Sequence, residues 1–147
     1  MVDLGSEEVL IDGGGKSLGV TDYIREYVDG LLEVMIATHP HADHVRGLIK
    51  VLEDFQSEEV WLNGDNSTSK TYKDFVAAVN AEGAKVNQAK RGGIISTESL
   101  IFSILNLLNP PDTLFSETNN NSIVLRLEYG DIVSLFTGDA EKEAEAF

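Results

Sequence analysis

The chain has 147 residues, of which 42% are hydrophobic and 24% charged, and these values fit one folded domain and exclude a disordered or low-complexity protein. The net charge of −14 disfavours broad binding to nucleic-acid backbones, and the absence of cysteine excludes disulfides, thiolate metal sites and a cysteine nucleophile. No apolar segment reaches the roughly 20 residues of a membrane span and the first residues lack signal-peptide features, so we expect a soluble, cytoplasmic protein, a single domain over residues 1–147 and no membrane contact.

The first part of the chain predicts strands that alternate with helices. Short apolar, β-prone segments predict strands at residues 8–12, 33–37 and 59–62. Apolar side chains at helical spacing predict three helices: one with Thr21 as its N-cap and Leu31 on its apolar face, one from about His44 to Phe55, and one over residues 70–81. Such alternation favours helices packed on the faces of a sheet.

After Gly83 the segments become short and β-prone, which predicts antiparallel strands. The predicted strands cover residues 85–89, 94–96, 99–107, 122–128 and 132–136, and the third is ended by Pro110 and Pro111. Gly130 and Asp131 predict a hairpin turn between the last two strands. The last strand leads through Asp139 into a Glu-rich tail that we expect to be helical.

All three histidines of the chain lie in the segment HPHADH at residues 39–44. Pro40 keeps His39 out of the α region, so this segment is a loop after a strand. In an extended loop His39 and His41 point the same way, while Asp43 and His44 stand at the start of the next helix. Four ligand-type side chains can therefore converge, with room for two metal ions. The alternatives are that Asp43 caps the helix and that each histidine is merely hydrogen-bonded, but crowded imidazoles would repel one another once protonated.

The segment HPHADH resembles the HxHxDH signature of the metallo-β-lactamase superfamily. Three other segments extend the resemblance to the ComEC-like domains of that superfamily, in the same order along the chain: LIDGGG at residues 10–15, NNSIVLRLEYG at residues 120–130 and LFTGDAEKEAE at residues 135–145. The resemblance implies an α/β (or α+β) fold, the metallo-β-lactamase αβ/βα sandwich, with a metal site at its rim.

The resemblance also implies roles for individual residues. The implied ligands are His39 and His41 for a first ion, Asp43 and His44 for a second, and Asp139 as a bridge between the two. Asp43 would also act in catalysis, orienting the attacking water or accepting its proton. Asp12 would support the ligand loop through hydrogen bonds. By itself, Asp139 could instead be a helix cap.

The chain departs from the family pattern in the loop before residue 122, where the family usually places a histidine. Here the candidates are Asn119, Asn120 and Asn121. One of them supplies an oxygen ligand that favours Mn²⁺ or Mg²⁺ over Zn²⁺, or the three simply form a polar turn.

The family pattern is longer at both ends, which predicts an incomplete second half of the sandwich, a weakened second metal site and an exposed sheet edge that favours a homodimer. The function expected from these observations is hydrolysis by water activated on one or two divalent ions, Zn²⁺ or Mn²⁺, with a phosphodiester or another small molecule as substrate. The alternatives are another ester or lactam hydrolase and a non-catalytic metal-binding or assembly module.

Overall fold

The computed structural model describes residues 1–15, 19–106, 118–142 and 144, which form two sheets and their connecting helices. The first sheet contains β1 (Val2–Asp3), β2 (Glu8–Ile11), β3 (Leu31–Ala37), β4 (Gln56–Leu62) and β5 (Lys85–Gln88). The second sheet contains β6 (Ile94–Ser96), β7 (Ile101–Asn106), β8 (Val124–Tyr129) and β9 (Ile132–Phe136). The helices are α1 (Gly19–Ile24), α2 (Ala42–Asp54), α3 (Lys70–Glu82) and a 3₁₀ helix (Thr118–Asn121).

The first sheet has the order β1-β2-β3-β4-β5, and its last four strands run parallel. A parallel neighbour requires a crossover, and α1, α2 and α3 provide the three crossovers. Both faces of the sheet are covered, so β3 ends in four consecutive buried residues, Val34 to Ala37. The carboxyl ends of β2 and β3 consequently lie at one edge of the sheet, next to each other.

Two hydrophobic clusters separate the layers. The first lies between the first sheet and its helices, where Met35 and Val60 pack with Leu48 and Phe75. The second lies between the two sheets, where Val34 and Ile36 meet residues of β7 and β8. The predicted sandwich of an α/β layer and an antiparallel sheet is confirmed.

The second sheet is antiparallel, in the order β6-β7-β8-β9. Within the described ranges no strand pairs with the outer edge of β9, and its Ile132, Val133 and Leu135 are exposed. The homodimer that the sequence predicts at an exposed sheet edge stays a prediction. In the part of the chain that the structure describes, no helix is long and apolar enough to cross a membrane.

The first predicted helix is wrong in its bounds. It begins before Thr21, which lies buried inside α1 and does not cap it, and Leu31 is the first residue of β3. Residues 25–28 continue as turns bonded to the carbonyls of Thr21, Tyr23 and Ile24, which explains the helical spacing of the apolar residues. Gly30 then adopts a φ of 118°, a conformation that ends the turn and opens the strand.

The predicted pairing of β5 is also wrong, because β5 lies parallel to β4 and not in an antiparallel set. The helix α3 between the two strands forces this outcome, since it supplies a crossover connection. Phe55 lies just past the end of α2 and remains buried. Leu107, the two prolines at 110 and 111 and residues 143 and 145–147 of the predicted helical tail lie outside the described residues.

Candidate metal centre

The candidate site lies where β2, β3 and β9 end. Asp12 follows β2, the loop from Thr38 to His41 follows β3, and Asp139 follows β9 of the second sheet. Each strand thus delivers one part of the site to the same rim of the sandwich. Nε2 of His39, Nε2 of His44 and a carboxylate oxygen of Asp139 lie close together, since one ligand atom of each residue falls within 4.8 Å of the others.

His39 is only 1% exposed. Its Nδ1 lies 3.1 Å from Thr38 Oγ1 and 3.4 Å from Ser122 Oγ. Its Nε2 lies 3.8 Å from Asp139 Oδ2 and has no hydrogen-bond partner. One ring nitrogen is therefore held by hydroxyl groups, and the other is directed at a carboxylate that is too far away for a hydrogen bond.

His44 lies beside His39, with the two ring centroids 4.1 Å apart. Its Nδ1 is 2.8 Å from Asp12 Oδ2 and its Nε2 is 3.2 Å from Asp139 Oδ1. The carboxylate of Asp139 therefore stands between two imidazole nitrogens that come from the same loop. This is the donor set of two imidazoles and one carboxylate that divalent transition metals prefer.

The two rings differ in their electrostatics. Burial, assisted by the neighbouring His44, lowers the pKa of His39 below its ordinary value. The hydrogen bond to Asp12, which outweighs the opposing effect of burial, raises the pKa of His44 above its ordinary value. A metal ligand must be a neutral imidazole, so the lowered pKa of His39 favours this role and the raised pKa of His44 opposes it.

His41 and Asp43, the other two predicted ligands in the loop, lie beside the cluster and not within it. His41 is the N-cap residue of α2, is exposed, and has its ring edge-on to that of His39 at a centroid distance of 4.7 Å. Asp43 has a side chain that is 75% exposed, and its Oδ2 is 4.0 Å from His44 Nε2. The alternative that Asp43 caps the helix is wrong, since it lies in the first turn.

A close contact between glycines holds the helix with His44 against the loop with Asp12. Gly47 lies in α2, and a Cβ atom on it would be 1.8 Å from the carbonyl oxygen of Gly13. Two backbone hydrogen bonds join the same segments, from Gly13 N to His44 O at 2.8 Å and from Gly47 N to Gly14 O at 3.0 Å. The distance between Asp12 and His44 is therefore set by backbone packing.

The three asparagines form the 3₁₀ helix and have different partners. Asn120 Oδ1 accepts from Glu141 N at 2.9 Å, and Asn121 Nδ2 donates to Asp65 Oδ1 at 2.6 Å. Asn119 Nδ2 donates to Glu141 Oε1 at 3.1 Å, and its Oδ1 is buried without a partner. The polar-turn interpretation therefore fits Asn120 and Asn121, whereas Asn119 keeps an uncommitted oxygen.

Three residues that contact the site were missed by the sequence analysis: Thr38, Ser122 and Asp65. Ser122 is fully buried, and its Oγ accepts from Asp139 N at 3.2 Å. Asp65 lies after β4 and holds the 3₁₀ helix through Asn121. The only sequence signals are that Thr38 directly precedes the segment HPHADH and that Ser122 lies within the segment NNSIVLRLEYG.

Comparison with proteins of known structure shows which fold the chain has. No protein-family model matches the chain. Among solved structures, Zn²⁺-bound PqqB from Methylobacterium extorquens superposes with a TM-score of 0.61 at 13% identity, over 92% of this chain and 50% of that one. The metallo-β-lactamase fold protein YhfI from Bacillus subtilis superposes with a TM-score of 0.57 at 16% identity, over 90% of this chain and 51% of that one. The chain has the metallo-β-lactamase fold, as its sequence motifs predict.

Among curated proteins, the chain is similar to ComE operon protein 3 of Bacillus subtilis. The two are 28% identical over 114 residues, which make up 78% of this chain. The matched segment spans 14% of the length of that relative. The ComEC-like resemblance inferred from the motifs agrees with this similarity.

Proposed function

We propose that the chain is a metal-dependent hydrolase that holds one or two divalent ions at His39, His44 and Asp139. The observation that supports this proposal is the buried Nε2 of His39, which has no hydrogen-bond partner and faces a carboxylate. An unpartnered buried polar atom is unfavourable, and a cation between it and Asp139 would satisfy both groups. The zinc-bound state of PqqB, which shares the fold, supports the choice of a divalent ion.

The remaining predicted ligands form part of the same proposal. His41 would join His39 at a first ion and Asp43 would join His44 at a second, with Asp139 bridging both. His41 and Asp43 are exposed, so a change of side-chain rotamer would turn them toward the cluster. Of the three asparagines, we propose Asn119 as the oxygen ligand, because its buried Oδ1 is the uncommitted one.

A bound divalent ion would supply hydroxide near neutral pH and polarise the scissile phosphoryl or carbonyl oxygen. The protein's part is positioning and proton transfer. Asp43 is exposed at the start of α2, where its carboxylate can orient the attacking water and accept its proton. The N-terminus of α2 carries no side-chain cap from His41, and its backbone N–H groups can hold an anionic oxygen of the substrate.

A phosphodiester is the substrate that we propose, since it has the anionic oxygen that this helix terminus favours. The net charge of −14 opposes tight binding of a long polyanion, so short or single phosphodiesters fit better than extended duplexes. Carboxylic esters and lactams are the alternative substrates for the same donor set. A non-catalytic metal-binding module is the alternative from another class, favoured by a core cluster of three ligand residues.

The test begins with protein loaded separately with Zn²⁺ and with Mn²⁺. Elemental analysis should find at least one ion per chain, and the loaded protein should hydrolyse bis(p-nitrophenyl) phosphate in preference to p-nitrophenyl acetate and nitrocefin. His39→Ala and Asp139→Asn should lose metal affinity by on the order of 100-fold or more, together with hydrolysis. Asp131→Asn, in the exposed turn between β8 and β9, is the matched control and should change neither.

The outcomes separate the candidate functions. Metal uptake without turnover of any of the three substrates would favour the binding module. Turnover of the ester or the lactam alone would transfer the proposal to those substrates. Full metal content in both ligand variants would overturn the site.

A further inference from the structure

The carboxylate of Asp12 contacts His44 directly and reaches His39 through Thr38. Asp12 accepts hydrogen bonds at Oδ1 from Thr38 N (2.9 Å) and at Oδ2 from Thr38 Oγ1 (2.7 Å), and its Oδ2 also lies 2.8 Å from His44 Nδ1. Among the described residues other than glycine, only Asp12 has a positive φ, of 55°. Such a conformation is held by surrounding contacts and marks a position where the carboxylate has to point a particular way.

The direction of these hydrogen bonds fixes the proton on each ring. A carboxylate can only accept, so the hydroxyl of Thr38 donates its single proton to Asp12. That hydroxyl can then only accept from His39 Nδ1, 3.1 Å away, and Nδ1 must carry the hydrogen. By the same reasoning His44 donates from Nδ1 directly to Asp12. In its neutral form each ring is therefore left with a lone pair on Nε2, the atom that faces Asp139. For His44 the shorter contact, 2.8 Å to Asp12 against 3.2 Å to Asp139, places the single proton on Nδ1.

We propose that Thr38 is a positioning residue that transmits the orientation of Asp12 to His39 and selects the tautomer with Nε2 free to bind a metal ion. Asp12 controls His44 directly and His39 through the Thr38 hydroxyl. A single carboxylate thereby prepares both histidines before an ion arrives. The proposal rests on the metal centre proposed above, but it concerns the metal-free protein and can be tested there.

Ser122 is the competing hydroxyl near His39, and the geometry gives it a different task. Its Oγ is 3.4 Å from His39 Nδ1, longer than the Thr38 contact. It also accepts from the backbone N–H of Asp139 at 3.2 Å. Ser122 therefore connects the strand end that bears Asp139 to the site, while Thr38 determines the proton on His39.

The test is the ¹⁵N chemical shifts of the imidazole rings in metal-free protein, at a pH above the pKa of both histidines. Wild type should show Nδ1–H and an unprotonated Nε2 for His39 and His44. Thr38→Val keeps the shape of the side chain without the hydroxyl and should change the tautomer of His39 only, so His44 serves as a reference within the same molecule. Thr38→Ser should restore the wild-type pattern, and Ser122→Ala should keep it.

The second measurement is metal affinity by calorimetric titration with Zn²⁺. Thr38→Val should weaken binding by about 10- to 100-fold, and Thr38→Ser should recover most of it. Asp12→Asn should alter the tautomers of both rings and weaken binding more than Thr38→Val does. A purely structural role of Thr38 would lower thermal stability in Thr38→Val and leave the His39 tautomer as in wild type.

The results distinguish this proposal from the proposed function. An Nε2–H tautomer of His39 in wild type would overturn the role of Thr38 even if Thr38→Val failed to fold. So would an unchanged His39 spectrum and Zn²⁺ affinity in folded Thr38→Val. The predicted tautomers and their response to Thr38→Val, found together with metal binding but no hydrolysis, would support Thr38 and refute the hydrolase.

Discussion

The strand β2 has a carboxylate at each end, and the two carboxylates do different things. Glu7 lies just before β2 and accepts from Thr97 Oγ1, from Ser99 N and from Ser99 Oγ. These bonds connect the first sheet to the turn between β6 and β7, and their donors are groups that lie outside the metal centre. Asp12 lies just after β2, and its bonds lead to histidines whose other nitrogens point into a shared space.

The comparison shows where a functional site is to be expected. Both ends of β2 contain a carboxylate with several donors, so hydrogen-bonded acid groups alone do not mark a site. Three buried side-chain polar atoms lack a partner in the part of the chain that is described, and one of them, His39 Nε2, lies 3.8 Å from Asp139 Oδ2. A second, Asn119 Oδ1, belongs to a side chain whose amide nitrogen donates to Glu141. The third is Glu82 Oε2. A buried, uncommitted nitrogen that faces a carboxylate distinguishes the end with Asp12.

Gly47→Ala should have the largest effect, because it disrupts the contact between α2 and the turn that follows Asp12. An alanine normally stabilises the interior of a helix by about 1 kcal/mol relative to glycine, but here the new Cβ would lie 1.8 Å from Gly13 O. We expect the clash to dominate and to lower the free energy of unfolding by about 3 kcal/mol, because backbone atoms must move apart. Separation of α2 from the Gly13 turn should also weaken metal binding, since it moves His44 away from Asp12.

Urea unfolding of the metal-free protein measures the first effect, and zinc titration measures the second. Gly15→Ala is the matched control in the same turn, because a Cβ there would meet only Asp43 Cα at an ordinary 3.9 Å. A Gly47→Ala protein as stable as wild type would show that the glycine contact does not set the position of α2.

A smaller effect, confined to the end with Asp12, is expected from Asn119→His. If the uncommitted Oδ1 of Asn119 is a ligand, an imidazole nitrogen in its place should raise the ratio of Zn²⁺ to Mn²⁺ affinity by about 10-fold, because nitrogen is the softer donor. Competition titrations with the two ions measure the ratio. Asn120→His is the matched control, since Asn120 Oδ1 is already bonded to Glu141 N. Equal ratios in the two variants would restore the polar-turn interpretation for all three asparagines.

The sequence predicts the histidine loop well because its chemistry is local. Three histidines around Pro40 already indicate a polar loop after a strand, and the structure places two of them in one cluster. Asp12 and Asp139 required the family resemblance, since each is distant from the loop along the chain. Ser122 could not be predicted as a contact of His39, because it is 83 residues away along the chain and reaches the ring only through the tertiary fold. Thr38 directly precedes His39, but the neighbouring position alone does not show that its hydroxyl lies between Asp12 and the ring.

The errors in the fold have a similar origin. The spacing of Ile24 and Val28 is helical and both are buried, but hydrophobic periodicity does not show where a helix gives way to turns. The antiparallel pairing of β5 rests on the short, β-prone segments after Gly83, whereas the direction of a strand depends on the connection that precedes it. The helix α3 before β5 was itself predicted, and it was the signal for a parallel pair.

The smallest expected effect concerns the end with Glu7 and is a change with pH. The hydrogen bond from Thr97, aided by those from Ser99 and opposed by burial, lowers the pKa of Glu7 below its ordinary value of 4.5. The unfolded chain therefore binds this proton more readily than the folded one, so the stabilisation is complete above about pH 4.5 and is lost as the pH falls through the lowered pKa.

Glu7→Gln does not titrate at this position, so its deficit in stability relative to wild type should be greatest near neutral pH and should shrink in acid. Urea midpoints of metal-free protein across this range measure the deficit. Glu98→Gln, at an exposed neighbouring position, is the control for the loss of one carboxylate in this region. Zinc affinity of Glu7→Gln at neutral pH should equal that of wild type, because all the bonds of Glu7 end within the framework. A deficit that grows in acid would contradict the direction of the pKa, and a loss of zinc affinity would show that the two ends of β2 are coupled.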